Sequence, residues 1–354
     1  MTSFSLSAAA QVLCLLSWLG STSEDTPSWD TYVEAALRAD REGRYLEAEK
    51  LYLDAEKEAH RFGQDDPRLA QTLALLGRLY STQAKWSEAE SFLQRSLAIY
   101  EKALGRESPD VASVLNFIGN LYKQQAKYTD AERAYERSLE IAEGTLGSER
   151  VLLAQALDGL ADVYRQQDGL LRAEQLYRRS LEIYEKTLGA DDPSFAVSLN
   201  NLATVLMHQG RYAEAEGIYR RSLEISPDLA TTLSNLGVAC RRQGKHDEAE
   251  QYYEKALHTQ EKRLGPQHPD VAITLDNLVT LYCEQGECRK AEPLSARAIA
   301  IHEDKLGPYH PALATSLENR AHVLRRLNRV DEAEGTEARA SAIRRRHAQQ
   351  NAPR

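Results

Sequence analysis

The side chains in this chain that could do chemistry are scattered. His268 and His310 each precede a proline and stand 42 residues apart as equivalents of one loop motif. A metal site would need ligands that converge, so both are read as structural. Cys283 and Cys288 are five residues apart, and with Cys14 and Cys240 they make no CxxC pair. The default reading of Cys288 is a buried thiol, since the equivalent position elsewhere holds an aromatic, Tyr128. The phosphate-loop, HExxH, GxSxG and dinucleotide-glycine patterns are absent. No catalytic residue, metal or cofactor is therefore assigned, and the chain is read as non-enzymatic. Arg344, Arg345 and Arg346 could meet phosphate, but they sit at the end of the last helix, where cations complement the dipole.

Whatever positions such residues must come from 354 amino acids, 42% of them hydrophobic and 27% charged, which is enough apolar material for a folded core. With 19 Gly and 11 Pro the chain is poor in turn residues for an all-β protein, and 17 Tyr against 5 Phe suggest a core built from rings with one wet end. The formal charge is −9. From Arg320 to Arg354 nine Arg face four acidic residues, leaving that segment at +5 and the rest at −14, the wrong sign for nucleic acid. Residues 1–23 carry no charge, and the apolar run Leu6 to Leu19 ends at small residues, as in a secretory leader, although a basic n-region is missing and Ser7, Gln11 and Ser17 interrupt it. A cleaved signal peptide and a disordered or loosely packed extension stand as alternatives. Localisation is accordingly cytoplasmic, or secreted or periplasmic if the leader is removed, with membrane contact only if it stays.

Self-similarity organises the rest. Ala48, Ala89, Ala131, Ala173, Ala215, Ala249, Ala291 and Ala333 recur at spacings of 41, 42, 42, 42, 34, 42 and 42. Each period holds two apolar runs at helical spacing, as in Ala196, Leu199, Leu202, Ala203, Leu206 and then Ala215, Ile218, Tyr219, Leu223, separated by a short polar turn. Every repeat is thus a helical hairpin. The small residues Gly77, Gly119, Ala161, Ala203 and Gly237, with the Ala215 column, mark where two backbones approach closely, and Tyr80, Tyr122, Tyr164 and Tyr282 are expected to fill the space beside them. Asp66-Pro67, Ser108-Pro109, Asp192-Pro193, His268-Pro269 and His310-Pro311 start first helices, and Leu-Gly pairs such as Leu146-Gly147 and Leu264-Gly265 stop second ones.

These residues resemble the tetratricopeptide repeat. The stretch from Val197 to Asp228 resembles its 34-residue form, and the other repeats resemble the 42-residue form of kinesin light chains, with phrases such as Leu264 to Ala272; the eight extra residues lengthen the second helix by about two turns. No sustained heptad pattern precedes Trp29, so motor binding is unsupported. The resemblance implies an all-α, right-handed superhelical solenoid of about eight helix-turn-helix repeats over 29–347, one of them short near 197–228, with 1–28 as the leader and 348–354 as a disordered tail. It further implies which first-helix positions face the concave groove: Asn116, Asn120, Lys123, Gln124, Arg165, Asn200, Thr204, His208, Arg241 and Arg242. Asn offers donors and an acceptor to an extended peptide backbone, and Lys123, Arg165, Arg241 and Arg242 could hold its acidic residues. Asn201, Asn235, Asn277 and Asn319, one residue further round the helix, are read as structural. The expected function is a non-enzymatic scaffold binding an extended peptide or partner protein, with no nucleic acid and no small-molecule substrate. The alternative is a regulatory subunit or peptide sensor that gates an enzyme by flexing. A hinge for it is expected near Pro227, where the short second helix stops between blocks 29–226 and 228–347.

Overall fold

The computed structural model describes residues 28–144 and 150–350, and among them sixteen α-helices alternate with turns. They run as first and second helices of successive pairs: α1 (Trp29–Arg41) and α2 (Tyr45–Ala59); α3 (Pro67–Thr82) and α4 (Trp86–Leu104); α5 (Pro109–Gln124) and α6 (Tyr128–Glu143); α7 (Arg150–Gln166) and α8 (Leu170–Thr187); α9 (Pro193–His208) and α10 (Tyr212–Ile225); α11 (Ala230–Arg242) and α12 (His246–Leu264); α13 (Pro269–Glu284) and α14 (Cys288–Leu306); α15 (Pro311–Arg326) and α16 (Val330–Gln350). The described residues contain no strand, and no helix among them is long and apolar enough to cross a membrane. They fall into two compact units, one ending at Val205 and the other beginning at Leu206, so the division lies inside α9. The leader up to residue 27, the Leu146-Gly147 stop and residues 351–354 lie outside the described residues, and α16 continues to Gln350.

The helix starts follow from their caps. Asp66, Ser108, Asp192, His268 and His310 each accept a hydrogen bond from the backbone N–H two residues on, at 2.7–3.2 Å, directly before the proline that needs no such bond. The two histidines are therefore helix caps, each using Nδ1. At the corner of each hairpin the chain turns through the left-handed region. Gly43, Gly210, Gly244 and Gly286 occupy it freely, but Ala84, Ala126, Asp168 and Asn328 are held there at φ 57 to 62°, where a Cβ is unfavourable.

All eight alanines of the periodic column are completely buried. The ring that packs against the small first-helix residues is a different one from the sequence expectation. A Cβ on Gly119 would lie 2.6 Å from Tyr135 Cε1, and one on Gly237 would lie 2.6 Å from Tyr253 Cε1, so the fillers come from the second helix of the same hairpin. Tyr80, Tyr122, Tyr164 and Tyr282 instead lean back toward the preceding hairpin and donate to Glu49, Glu90, Glu132 and Glu250 at 2.6–2.8 Å. There each hydroxyl finds its acceptor in the Glu that follows the column alanine of the preceding repeat. Within each unit, first helices of successive hairpins also touch, α3 with α5 and α5 with α7, then α11 with α13 and α13 with α15.

The junction around Pro227 is bridged by side chains. The helices on its two sides, α10 and α11, belong to the same compact unit. Glu216 of α10 accepts from Lys245 at 2.6 Å and Gln243 at 2.8 Å, and Arg220 of α10 donates to Glu248 at 2.7 Å and Tyr252 at 2.8 Å on α12. The shortened second helix is therefore tied by polar side chains to the hairpin that follows.

Candidate functional site

In the first unit the expected groove residues cluster around two carboxylates one helical turn apart on α7. Asp162 accepts from Lys123 of α5 at 2.9 Å, from Arg165 of its own helix at 2.9 Å and from Tyr177 of α8 at 2.9 Å. Burial alone would push this carboxyl up, but Lys123 and Arg165 together outweigh it and hold Asp162 well below the usual carboxylate range. Lys123 is correspondingly held charged: burial works against the ammonium, and Asp162 more than restores it. Asp158 has the opposite fate. Its Oδ1 accepts from Ser180 of α8 and, at 3.0 Å, from Ser198 of α9. Among the described residues no cation bonds it, and burial pushes its pKa up to about 7 despite the two hydroxyls.

The other expected residues of this unit also look inward to the protein. Asn116 is buried; its Nδ2 donates to Leu152 O at 3.2 Å, across to the next first helix, while its Oδ1 has no hydrogen-bond partner among the described residues. Asn120 accepts from the Tyr135 hydroxyl at 2.9 Å, and Gln124 accepts from Ser81 at 3.3 Å. Asn200 is buried, donating to Asn201 Oδ1 at 3.3 Å, and its carbonyl accepts from Thr204 Oγ1 at 2.9 Å. The polar first-helix row thus stitches neighbouring hairpins together. Lys123 and Arg165, expected to take acidic ligand groups, already share Asp162.

In the second unit the row divides. Arg241 is mostly buried and pairs with Glu284 of α13. His208 and Arg242 are exposed, and so are His322 and Arg326 on α15; Arg242 and Arg326 have no ion-pair partner among the described residues. Asp276, the equivalent of Asp158, repeats its chemistry. Its Oδ2 accepts from Ser316 at 2.5 Å, Ser316 also bonds His302 Nδ1 at 2.8 Å, and burial pushes the Asp276 pKa up to about 6. An Asp, a Ser and a His in a chain are not a nucleophile set here, because the serine lies between the other two and is completely buried. Asn277 donates to Ser234 at 3.2 Å, in keeping with the structural reading of that ladder.

Glu216, Cys240 and Glu248 bring three ligand-type atoms within 4.8 Å of one another. Both oxygens of Glu216 are taken by Arg220, Gln243 and Lys245, which overcome its burial and lower its pKa to about 2, and burial pushes the Cys240 thiol up to about 11. The arrangement is an ion-pair knot with a protonated thiol beside it. Two of the three terminal arginines are likewise spent on the protein: Arg344 binds Glu318 at 3.0 Å and Arg346 stacks 3.8 Å from the Tyr309 ring centre.

The stitched hairpins with their small-residue crossings define a helical-repeat protein. Family models described as tetratricopeptide repeat match residues 35–102, 110–186, 228–304 and 277–346, and another of the same description matches 195–226, so the chain belongs to the tetratricopeptide repeat family. No match was found among curated protein sequences. Among solved structures, a putative kinesin light chain of nearly identical tetratricopeptide-like repeats from Podosopora anserina is 24% identical, covering 55% of this chain and 96% of its own, with a TM-score of 0.48. Pseudomonas aeruginosa PilF is 17% identical over 67% of this chain and 94% of its own, TM-score 0.50. A Rap protein complexed with Competence and Sporulation Factor is 17% identical over 91% of this chain and 99% of its own, TM-score 0.58. At these identities the likeness is one of fold.

Proposed function

We propose that the protein is a non-enzymatic scaffold that binds an extended peptide or a partner protein along its first-helix face, with acidic groups of the ligand engaging the second unit. The observation that carries this reading is the contrast between paired and unpaired cations. Lys123, Arg165 and Arg78 are neutralised by Asp162 and Asp40, whereas Arg242 and Arg326 are exposed without an ion-pair partner among the described residues. A guanidinium left open to solvent can take a carboxylate in a bidentate bond, while one already bonded to Asp would have to give up that bond first. His208 and Arg242 remain in the proposed surface; Asn116, Asn200 and Arg241 serve it from behind by fixing helix positions. The Rap structure adds that a protein of this fold has been solved with a bound factor. The alternative, an enzyme-gating subunit that flexes near Pro227, is weakened by the polar ties across that junction.

Fluorescence anisotropy against a library of acidic, neutral and basic peptides tests this. Acidic peptides should bind with an affinity that falls as salt rises, and the Arg242→Glu, Arg326→Glu double variant should lose at least about tenfold, while Lys57→Glu on another exposed surface should lose little. Equal binding by the double variant and the native chain would refute the assignment.

A further inference from the structure

The corner between α13 and α14 holds two thiols that nothing in the proposed binding function uses. Cys283, in the last turn of α13, and Cys288, the first residue of α14, are both buried, and the Cys288 thiol donates to Cys283 Sγ at 2.7 Å. The turn between them is short and fixed: Gly286 sits at φ +82°, and Glu287 N donates to Tyr282 O at 2.7 Å. A disulfide has its sulfurs about 2.0 Å apart and makes exacting demands on the approach of two cysteines, so bonding here needs a shift of less than about 1 Å. Cys240, the remaining cysteine among the described residues, makes no sulfur contact; its neighbours are Glu216 and Glu248.

We propose that Cys283 and Cys288 form a modification site, a dithiol that closes to an intra-hairpin disulfide by exchange with a low-molecular-weight disulfide such as oxidised glutathione. Cys283 loses its proton to solvent and attacks one glutathione sulfur; the glutathione S–S bond breaks and one glutathione thiolate leaves. Cys288 then loses its proton and attacks Cys283 Sγ in the mixed disulfide, expelling the second glutathione thiolate, and the two glutathione thiolates take up the two protons released. Two protein thiols are oxidised, and one glutathione disulfide is reduced to two thiols. Burial, together with the bond from Cys288, raises the Cys283 pKa to about 12, partly offset by Arg326, so the first step waits for the corner to open and is slow. The second step is fast, because it is intramolecular and reclosing the corner returns Cys288 to Cys283. Closure pins the corner next to Glu284, whose carboxylate holds Arg241.

The test is to equilibrate the reduced full-length chain with glutathione mixtures from fully reduced to fully oxidised, quench in acid, alkylate free thiols and map the peptides by mass. The expected product is a Cys283–Cys288 linked peptide exceeding any glutathione adduct at these two positions by at least about tenfold, with Cys240 largely alkylated and the helical circular dichroism unchanged. Cys283→Ser and Cys288→Ser should each trap a mixed disulfide on the remaining thiol. The proposal fails if no linked peptide forms in oxidised glutathione alone just below the unfolding temperature, or if Cys240 is modified as readily as the pair.

Discussion

Asp158 and Asp162 lie one turn apart on α7 and titrate in opposite directions because only one of them has cations. Asp158 holds its proton more tightly folded than unfolded, with a pKa of about 7 against an ordinary carboxylate value near 4, so its contribution to stability is full below that ordinary value and is lost as pH rises toward 7. Asp162, held low, contributes above the ordinary carboxylate range and loses its contribution on acidification. Asp158→Asn should therefore stabilise the protein at pH 7 by about 1 to 3 kcal/mol, since the amide oxygen still accepts from Ser180 and Ser198 while no charge need be buried. Denaturant titrations of the variant at pH 5 and pH 7.5 should show a smaller stability difference than the native chain; an unchanged difference would mean that Asp158 is solvated. Asp276→Asn is expected to behave the same way, with its range ending near pH 6. The sequence carries only a faint trace of this: the equivalent positions hold Ala74, Asn116, Asp158, Asn200, Ser234, Asp276 and Glu318, so uncharged residues outnumber acids there. The pairing of Lys123 with Asp162 left no such trace, since 39 residues separate them and only the stacking of α5 on α7 makes them neighbours.

At the scale of the helix pair, the period, the caps, the corners and the buried alanine column were all readable, because each is a local demand of backbone geometry on residue type. The identity of the packing ring was not. Both Tyr80 and Tyr135 recur with the repeat, and spacing alone does not say which leans into its own hairpin and which reaches for Glu on the one before. Ala131→Leu should destabilise the protein by about 1 to 3 kcal/mol, since the site has no room. Glu132 is a poor control for it, being the acceptor for Tyr164, and Glu140→Gln on the exposed face should leave the melting temperature within a degree or so of native. The corners give an effect of opposite sign. Replacing Ala84 or Ala126 with Gly removes a Cβ from a left-handed residue at φ 57° and costs some unfolded-chain entropy. Relief of the strain outweighs that cost, so each change should raise stability by about 0.5 to 1 kcal/mol, and a lower melting temperature for both variants would contradict that ranking.

Over the whole chain, the one 34-residue period is the place where the contacts are hardest to read from the sequence. Proline and a repeat eight residues shorter than the 42-residue period argue for a weak junction at Pro227, on the reasoning that a missing stretch of helix is missing contact. The sequence does not reveal that Glu216 and Arg220 on that short helix reach Gln243, Lys245, Glu248 and Tyr252, residues 27 to 32 positions later. Polar side chains are long enough to bridge what helix backbone leaves open, and Glu216 is mostly buried while it does so. Amides from Glu224 to Thr232 should then exchange no faster than those around Gly265, at the next junction in the same unit. Glu216→Gln should undo this. It leaves Lys245 without its carboxylate and weakens the hold on Arg220. The cost should appear first as faster exchange across 224–232, while protection around Gly265 is unchanged, because stability lost at one nearest-neighbour interface of a repeat array is felt locally before it is felt globally. Equal slowing or equal acceleration at both junctions would show that the ion-pair knot does not act on the Pro227 junction in particular.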